Sequence, residues 1–338
     1  MTTGVDRRLR YGIIGCGDAT RRLIIPGLKN SNRAQLVCIA SRDVQKARTL
    51  AIEAQCEYAS SYEDLLNQGD IDVIYIALPI SLHAQWTMRA IKSGKHVHCE
   101  KSLAPCLEEV VKILESAQKN DRRVMEGFMF RFHTLYKTVQ DLIASGEIGI
   151  LKSFVGSFGF PLEENDLIRR NPAMKMGILN ETGCYTISAA SGFFNQNPDS
   201  VLANLEYKNQ LEIGGCALLK FGPGENAYCE FGYDRGYRCS YTLWGTEGHI
   251  VVERAYTTPP TMEPIIEVRK QEGSKSIKIP AENHFSKMID TFCEAILRGT
   301  GKETFEQAAY HQAVVMEAVR KSYYNKDVVF LNELKVNF

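Results

Sequence analysis

The chain has 338 residues, enough for two domains at roughly 150 residues each. Lys plus Arg and Asp plus Glu stand at 40 each, so no global charge points to nucleic acid or to an acidic surface. Hydrophobic residues at 44% and charged residues at 24% are ordinary for a globular protein, and no apolar run approaches the roughly 18 residues that span a membrane.

The opening MTTGVDRRLRYGIIGCG has basic residues but no long apolar stretch or cleavage site, so no secretory signal is expected and a cytoplasmic location is. The ten cysteines are scattered without a C-x-x-C, which predicts reduced thiols acting as small hydrophobes.

Taken in order, the apolar run RYGIIG ends in glycine, and a helix is predicted from about Asp18 to Leu28. AQLVCIA is the next strand, followed by a helix over about Val44 to Gln55. IDVIYIAL is a third strand, and SLHAQWTMRAIKSG reads as a helix closed by Gly94. KHVHCE is a strand, Leu107 to Asn120 a helix, and RRVMEGF another strand. Apolar strands alternating with helices predict a doubly wound parallel sheet covered on both faces, the Rossmann arrangement, over residues 1–130.

After about Leu151 the pattern changes. Eight strand-like runs from LKSFVGSFGF to SKSIKI follow with few helical interruptions, which predicts an open, largely antiparallel sheet with helices on one face. One helix is expected near Tyr185, and two more over about His284 to Tyr324. Residues 131–338 are therefore expected to form an α+β domain that binds substrate and oligomerises, its last helices able to pack back on the first domain. The outer face of such a sheet needs cover, and a second copy provides it; a homodimer or homotetramer is expected.

The first strand runs into GCGDAT, Gly15 to Thr20. Gly15 permits a tight turn, and Gly17 lets the backbone of Asp18, Ala19 and Thr20 approach a pyrophosphate at a helix N-terminus. The third position of the fingerprint asks for Gly or Ala; Thr20 stands there. At the end of the second strand an NAD site would carry Asp or Glu, whereas this chain has Ser41 and Arg42, with Lys46 a turn further on. A hydroxyl and a guanidinium suit a 2′-phosphate, which favours NADP(H) over NAD(H). The alternative is a solvated Arg42 beside an Asp43 that caps the next helix.

HVHCEKSLA poses a separate question. His96 and His98 share one face of a strand, but no third ligand follows at a metal-binding spacing, so no metal site is expected. Glu100 and Lys101 lie at the strand's carboxyl end, where open parallel sheets bind ligands; a surface Lys–Glu pair is the alternative, and the one the residues alone favour.

The run YIALPISLHAQWTMRAIKSGKHVHCEKSL resembles the Gfo/Idh/MocA oxidoreductase family, whose pattern is an apolar strand, Pro, xSLH, a helix and GKHVxxEKP. VMEGFMFRFHTLYKTVQDLIASGEIGILKSF and MGILNETGCYTI resemble its later motifs. GCGDATRRLIIPGL, IASRD, RAYTTPPTMEPIIEVRKQ and IPAENHFSKMIDTF further resemble the NADP-dependent nucleotide-sugar 3-ketoreductases of deoxysugar biosynthesis within it.

The resemblance implies an enzyme that reduces a keto group of a sugar, with Lys101 beside the nicotinamide and Tyr185 as general acid. The family's Lys-Pro becomes Lys101-Ser102, and its D-x-x-x-[HY] pair becomes Glu181 and Tyr185. Leu78, Pro79 and His83 fall where the family's TPxxxH lies against the cofactor. Arg131 is a candidate for an anionic part of cofactor or substrate, or equally for a structural salt bridge; Arg169 and Arg170 could bind a diphosphate, but solvated arginines are the favoured reading. Competing functions are a dehydrogenase of a free sugar, polyol or dihydrodiol, an NADP-binding regulatory protein, and a hydrolase that cycles a tightly held NAD.

Overall fold

The fold is that of a computed structural model describing residues 7–300 and 304–334; part of the opening stretch, 1–6, lies outside them. The chain divides into two compact units, one over residues 7–129 with 283–310, the other over 130–282 with 311–334, as far as these are described.

In the first unit, β1 (Leu9–Ile14), β2 (Ala34–Ala40), β3 (Tyr58–Ser60), β4 (Val73–Ile76), β5 (His96–Glu100) and β6 (Val124–Gly127) form one sheet, all pairs parallel. Its order is β3-β2-β1-β4-β5-β6. The strand order reverses between β1 and β4, and ligands in such sheets bind beyond the carboxyl ends at that point. β4 is buried along its whole length, as a strand covered on both faces should be.

Between the strands run α1 (Ile25–Lys29), α2 (Val44–Ala54), α3 (Tyr62–Asn67), α4 (His83–Lys92) and α5 (Leu107–Lys119). α1 is entered through a wide π turn over Thr20–Ile24. Asp43 caps α2, its Oδ1 accepting from the Gln45 and Lys46 N–H groups, and Ser61 caps α3. α5 turns Val110, Val111, Ile113, Leu114 and Ala117 inward, the helical spacing seen in its sequence.

The second unit holds β7 (Leu151–Gly159), β8 (Ser200–Lys208), β9 (Leu211–Lys220), β10 (Asn226–Gly232), β11 (Arg238–Gly245), β12 (Gly248–Glu253), β13 (Ile265–Lys270), β14 (Gly273–Lys278) and β15 (Val329–Phe330). They form a single sheet in the order β14-β13-β12-β11-β7-β10-β9-β8-β15, antiparallel except for the β7–β10 pair. α6 (Thr134–Ala144) and α7 (Cys184–Phe194) belong to this unit, and α7 packs on β7 and β10. α7 is buried nearly all round, which suits its Cys-Tyr-Thr-Ile-Ser-Ala-Ala composition.

The opposite face carries a row of side chains in register, Leu202, Leu218, Tyr228 and Val155, from neighbouring strands. All four are exposed.

α8 (His284–Arg298) packs on α1 and β2 of the first unit, where the Arg33 N–H donates to Asp290. α9 (Thr304–Asn325) follows. Among the described residues no helix is long and apolar enough to cross a membrane.

Candidate active site

At the end of β1, Gly15 takes a φ of 117°, and a Cβ there would stand 2.1 Å from the Ala77 carbonyl oxygen. Only glycine meets both conditions. At Gly17 the space where a Cβ would stand is empty to 4 Å. Thr20, in the position expected for Gly or Ala, is fully buried, and its hydroxyl donates to the Gly15 carbonyl at 3.0 Å. The threonine thus closes the loop with a hydrogen bond. One glycine pinned by the sheet, an open one beyond it, and a helix start behind them fit a dinucleotide's pyrophosphate.

At the end of β2, Ser41 is buried; its N–H donates to Ser60 and its hydroxyl accepts from the Asp43 N–H. The Asp43 carboxylate is engaged in capping α2. Arg42 and Lys46 are exposed beside it, with Arg42 close enough to Tyr62 to hydrogen-bond its hydroxyl. The acid at this strand end is occupied and the bases are available, an arrangement that fits a 2′-phosphate.

Leu78 and Pro79 are half-buried just beyond β4. His83, fully buried, sets Nε2 at 2.8 Å from the Leu78 carbonyl oxygen and Nδ1 at 2.7 Å from that of Ser102. Both ring nitrogens face backbone carbonyls. Glu100 accepts a 2.6 Å hydrogen bond from Tyr75, whose own pKa is pushed well up by burial and by that carboxylate. Lys101 is half-buried, the Lys101–Ser102 peptide is cis, and the Leu103 N–H donates to Glu126 at 2.9 Å.

His96 and His98 have separate structural partners. His96 Nδ1 accepts from the Arg123 N–H at 2.9 Å. His98 lies between the rings of Tyr75 and Phe292, with centroids at 4.4 and 5.7 Å. Burial lowers the first to about 4 and the second to about 3, so both are neutral imidazoles at pH 7.

In the second unit a π turn over Leu179–Gly183 leads into α7. Glu181 and Tyr185 are four residues apart and both buried. Tyr185 sits among Phe158, Phe130 and Tyr256, with ring centroids at 5.4, 5.8 and 6.0 Å. Tyr256 stacks on Phe158 at 23°.

Glu181 accepts from Arg169 Nε at 2.9 Å, and Arg169 also donates to Asp166 at 2.6 Å. Burial opposes the charge on Arg169, but these two carboxylates more than offset it and hold the guanidinium firmly protonated. The sequence favours solvated arginines at 169 and 170 and does not foresee this ion pair. Its one visible trace is the i, i+3 spacing of Asp166 and Arg169.

Arg170 donates to the carbonyls of Glu163 and Leu162, tying its own loop. Arg131 points its Nη2 at the Ser188 carbonyl on α7, at 3.5 Å. The first unit therefore gathers Gly15, Gly17, Ser41, Arg42, Lys101 and their neighbours at the carboxyl edge of the parallel sheet, and the second holds Glu181 and Tyr185 together at one helix start.

A family model described as "Oxidoreductase family, NAD-binding Rossmann fold" matches residues 9–128. The GFO/IDH/MocA C-terminal domain matches residues 136–251. A dTDP-3,4-didehydro-2,6-dideoxy-alpha-D-glucose 3-reductase of Actinomadura kijaniata is 32% identical over 314 residues, 92% of this chain and 95% of that protein. A D-xylose 1-dehydrogenase (NADP(+)) 2 of Haloferax volcanii is 32% identical, over 75% of this chain and 78% of its own.

Among solved structures, the 3-ketoreductase KijD10 of Actinomadura kijaniata, in complex with NADP and TDP-benzene, has a TM-score of 0.89 at 31% identity, covering 94% of this chain and 98% of its own. KijD10 has also been solved with a tyrosine changed to phenylalanine and with a lysine changed to alanine. Two successive family domains, and relatives similar over nearly their whole length, make this chain a member of the Gfo/Idh/MocA oxidoreductase family, an NAD(P)-dependent enzyme.

Proposed function

We propose that the chain is an NADPH-dependent reductase of a keto group on a hexose carried by a nucleoside diphosphate. The observation that carries the cofactor choice is the strand end at Ser41, where Arg42 and Lys46 are exposed while the Asp43 carboxylate is spent on a helix cap. The substrate class rests on near full-length similarity to a reductase of a dTDP-linked keto sugar.

The chain's residues divide the work. The Gly15–Thr20 loop holds the pyrophosphate, and Ser41, Arg42 and Lys46 take the 2′-phosphate. When bound, NADPH supplies the hydride. Lys101 presents its ammonium to the carbonyl oxygen and polarises it. Tyr185 gives that oxygen a proton from its hydroxyl and is left as the phenolate until solvent reprotonates it. Its ring is held by Phe158, Phe130 and Tyr256, so the hydroxyl is oriented before substrate arrives. Glu181, one methylene longer than the family's aspartate, uses its reach to pair with Arg169. Its role is to fix the turn that leads to Tyr185.

The test is a titration with NADPH and NADH, followed by NADPH oxidation with a dTDP-linked keto hexose. A preference of tenfold or more, about 1.4 kcal/mol, is expected for NADPH. Turnover should be inhibited competitively by dTDP. Tight NADH with weak NADPH overturns the cofactor assignment. The similarity to a D-xylose 1-dehydrogenase favours a second reading, oxidation of a free sugar. In that case xylose or glucose would be turned over with NADP+, and dTDP would have no effect.

The exposed row Leu202, Leu218, Tyr228, Val155 is best covered by a second copy of the chain. Leu218→Glu should then halve the mass seen by light scattering; a monomeric wild type overturns this.

A further inference from the structure

His83 is wholly buried and spans two segments 19 residues apart, facing the Leu78 carbonyl with one ring nitrogen and the Ser102 carbonyl with the other. A neutral imidazole has one N–H donor and one lone pair. Set between two carbonyl oxygens at 2.7 and 2.8 Å, it would satisfy one and oppose a lone pair to the other. Only the imidazolium, with a proton on each nitrogen, donates to both. We propose that His83 is a positioning residue carrying a fixed positive charge, a doubly protonated clasp that sets where the Lys101–Ser102 turn stands against the Leu78–Pro79 segment.

Burial opposes such a charge, and so does its place at the first residue of α4, where the helix dipole is positive. Two charge-assisted hydrogen bonds to carbonyl dipoles work the other way. The elements packed against α4 carry His96, His98 and Cys99 on β5, the last close enough to bond Thr87 of α4, and Glu115 and Lys119 on α5 besides the groups that follow. Tyr75 on β4 donates to Glu100 on β5, Lys101 follows β5, and on α5 Glu109 is half-buried while Glu108 pairs with Lys112 at the surface.

The first test is direct. Nitrogen-15 spectra of histidine-labelled full-length protein report whether each ring nitrogen carries a proton. The chain has seven histidines. One ring should keep two N–H groups well above the ordinary histidine pKa of about 6.5, and that signal should vanish in His83→Gln. A pyridine-type nitrogen assigned to His83 overturns the proposal.

The second test rests on the reductase reading. His83→Asn and His83→Gln can donate to one carbonyl at a time. They should lower kcat by roughly tenfold or more with a much smaller change in KM for the dinucleotide. Unchanged kcat in a folded variant overturns the positioning role. If neither variant folds, the wild-type spectrum decides alone. A protein inactive on every keto sugar would fail the reductase reading and leave the ring-nitrogen result standing.

Discussion

Lys101 stands on a turn tied by hydrogen bonds, with Tyr75 on Glu100, Glu126 on the Leu103 N–H and His83 on the Ser102 carbonyl. Tyr185 stands in a nest of rings from Phe158, Phe130 and Tyr256. Directional bonds fix an atom sharply but fail when one partner is lost, whereas aromatic packing spreads the restraint over area. The lysine's neighbourhood is therefore hard to change without moving the lysine. The tyrosine can lose its hydroxyl and keep its place.

Tyr185→Phe exploits that difference. It should keep the fold and the dinucleotide affinity while kcat for keto-sugar reduction falls by about 10²–10⁴. Steady-state kinetics beside a thermal melt would check this. A variant with wild-type kcat removes Tyr185 as the acid. A variant that unfolds shows that the hydroxyl, and not the rings, holds the nest.

Acid sharpens the contrast from the other side. His96 and His98, on the strand that leads to Lys101, bind protons more weakly folded than unfolded, with pKa values of about 4 and about 3. Below about pH 6.5 the unfolded chain takes up protons that the folded chain refuses. Stability is thus full above that pH and falls as pH drops toward the folded values, by about 1.4 kcal/mol per pH unit for each histidine. The rings around Tyr185 do not titrate there, and burial pushes Tyr256 well up. Denaturant midpoints between pH 7 and pH 4 should show this acid limb, and His98→Leu should flatten it by about one proton's worth. An unchanged slope in that variant would mean that His98 contributes nothing to it.

How much of this was legible in the sequence follows the same division. The parallel sheet announces itself, because VIYI and AQLVCIA are buried runs between helices of clear period. The antiparallel half shows in alternation such as that of β9, with Ala217 and Leu219 inside and Leu218 outside. Glu181 and Tyr185 are paired through the resemblance to the family's D-x-x-x-[HY] motif; their four-residue spacing adds only that both project to one helix face. β3 and α3 pass unannounced, since three and six residues hold too little period to read.

The Arg169–Glu181 pair joins a loop to a helix start across 12 residues, and no regular spacing encodes it. The His83 clasp is less visible still, because its two partners are backbone carbonyls, which every residue has. Thr20 is a different lesson. The fingerprint's third position asks for small size, and here a hydroxyl bonded to the Gly15 carbonyl meets the same need by other means.

The two glycines of the loop after β1, finally, meet different kinds of steric demand. Any side chain at position 15 would drive into the Ala77 carbonyl and demand a backbone angle that L-residues avoid, so the architecture itself forbids change there whatever the protein binds. Position 17 faces open space, and the fold makes no such demand. On the proposed reading, the dinucleotide is what asks for glycine at 17. A lineage that gave up its dinucleotide could drift at 17 while remaining locked at 15, and such drift would mark the loss of cofactor before any other part of the domain changed.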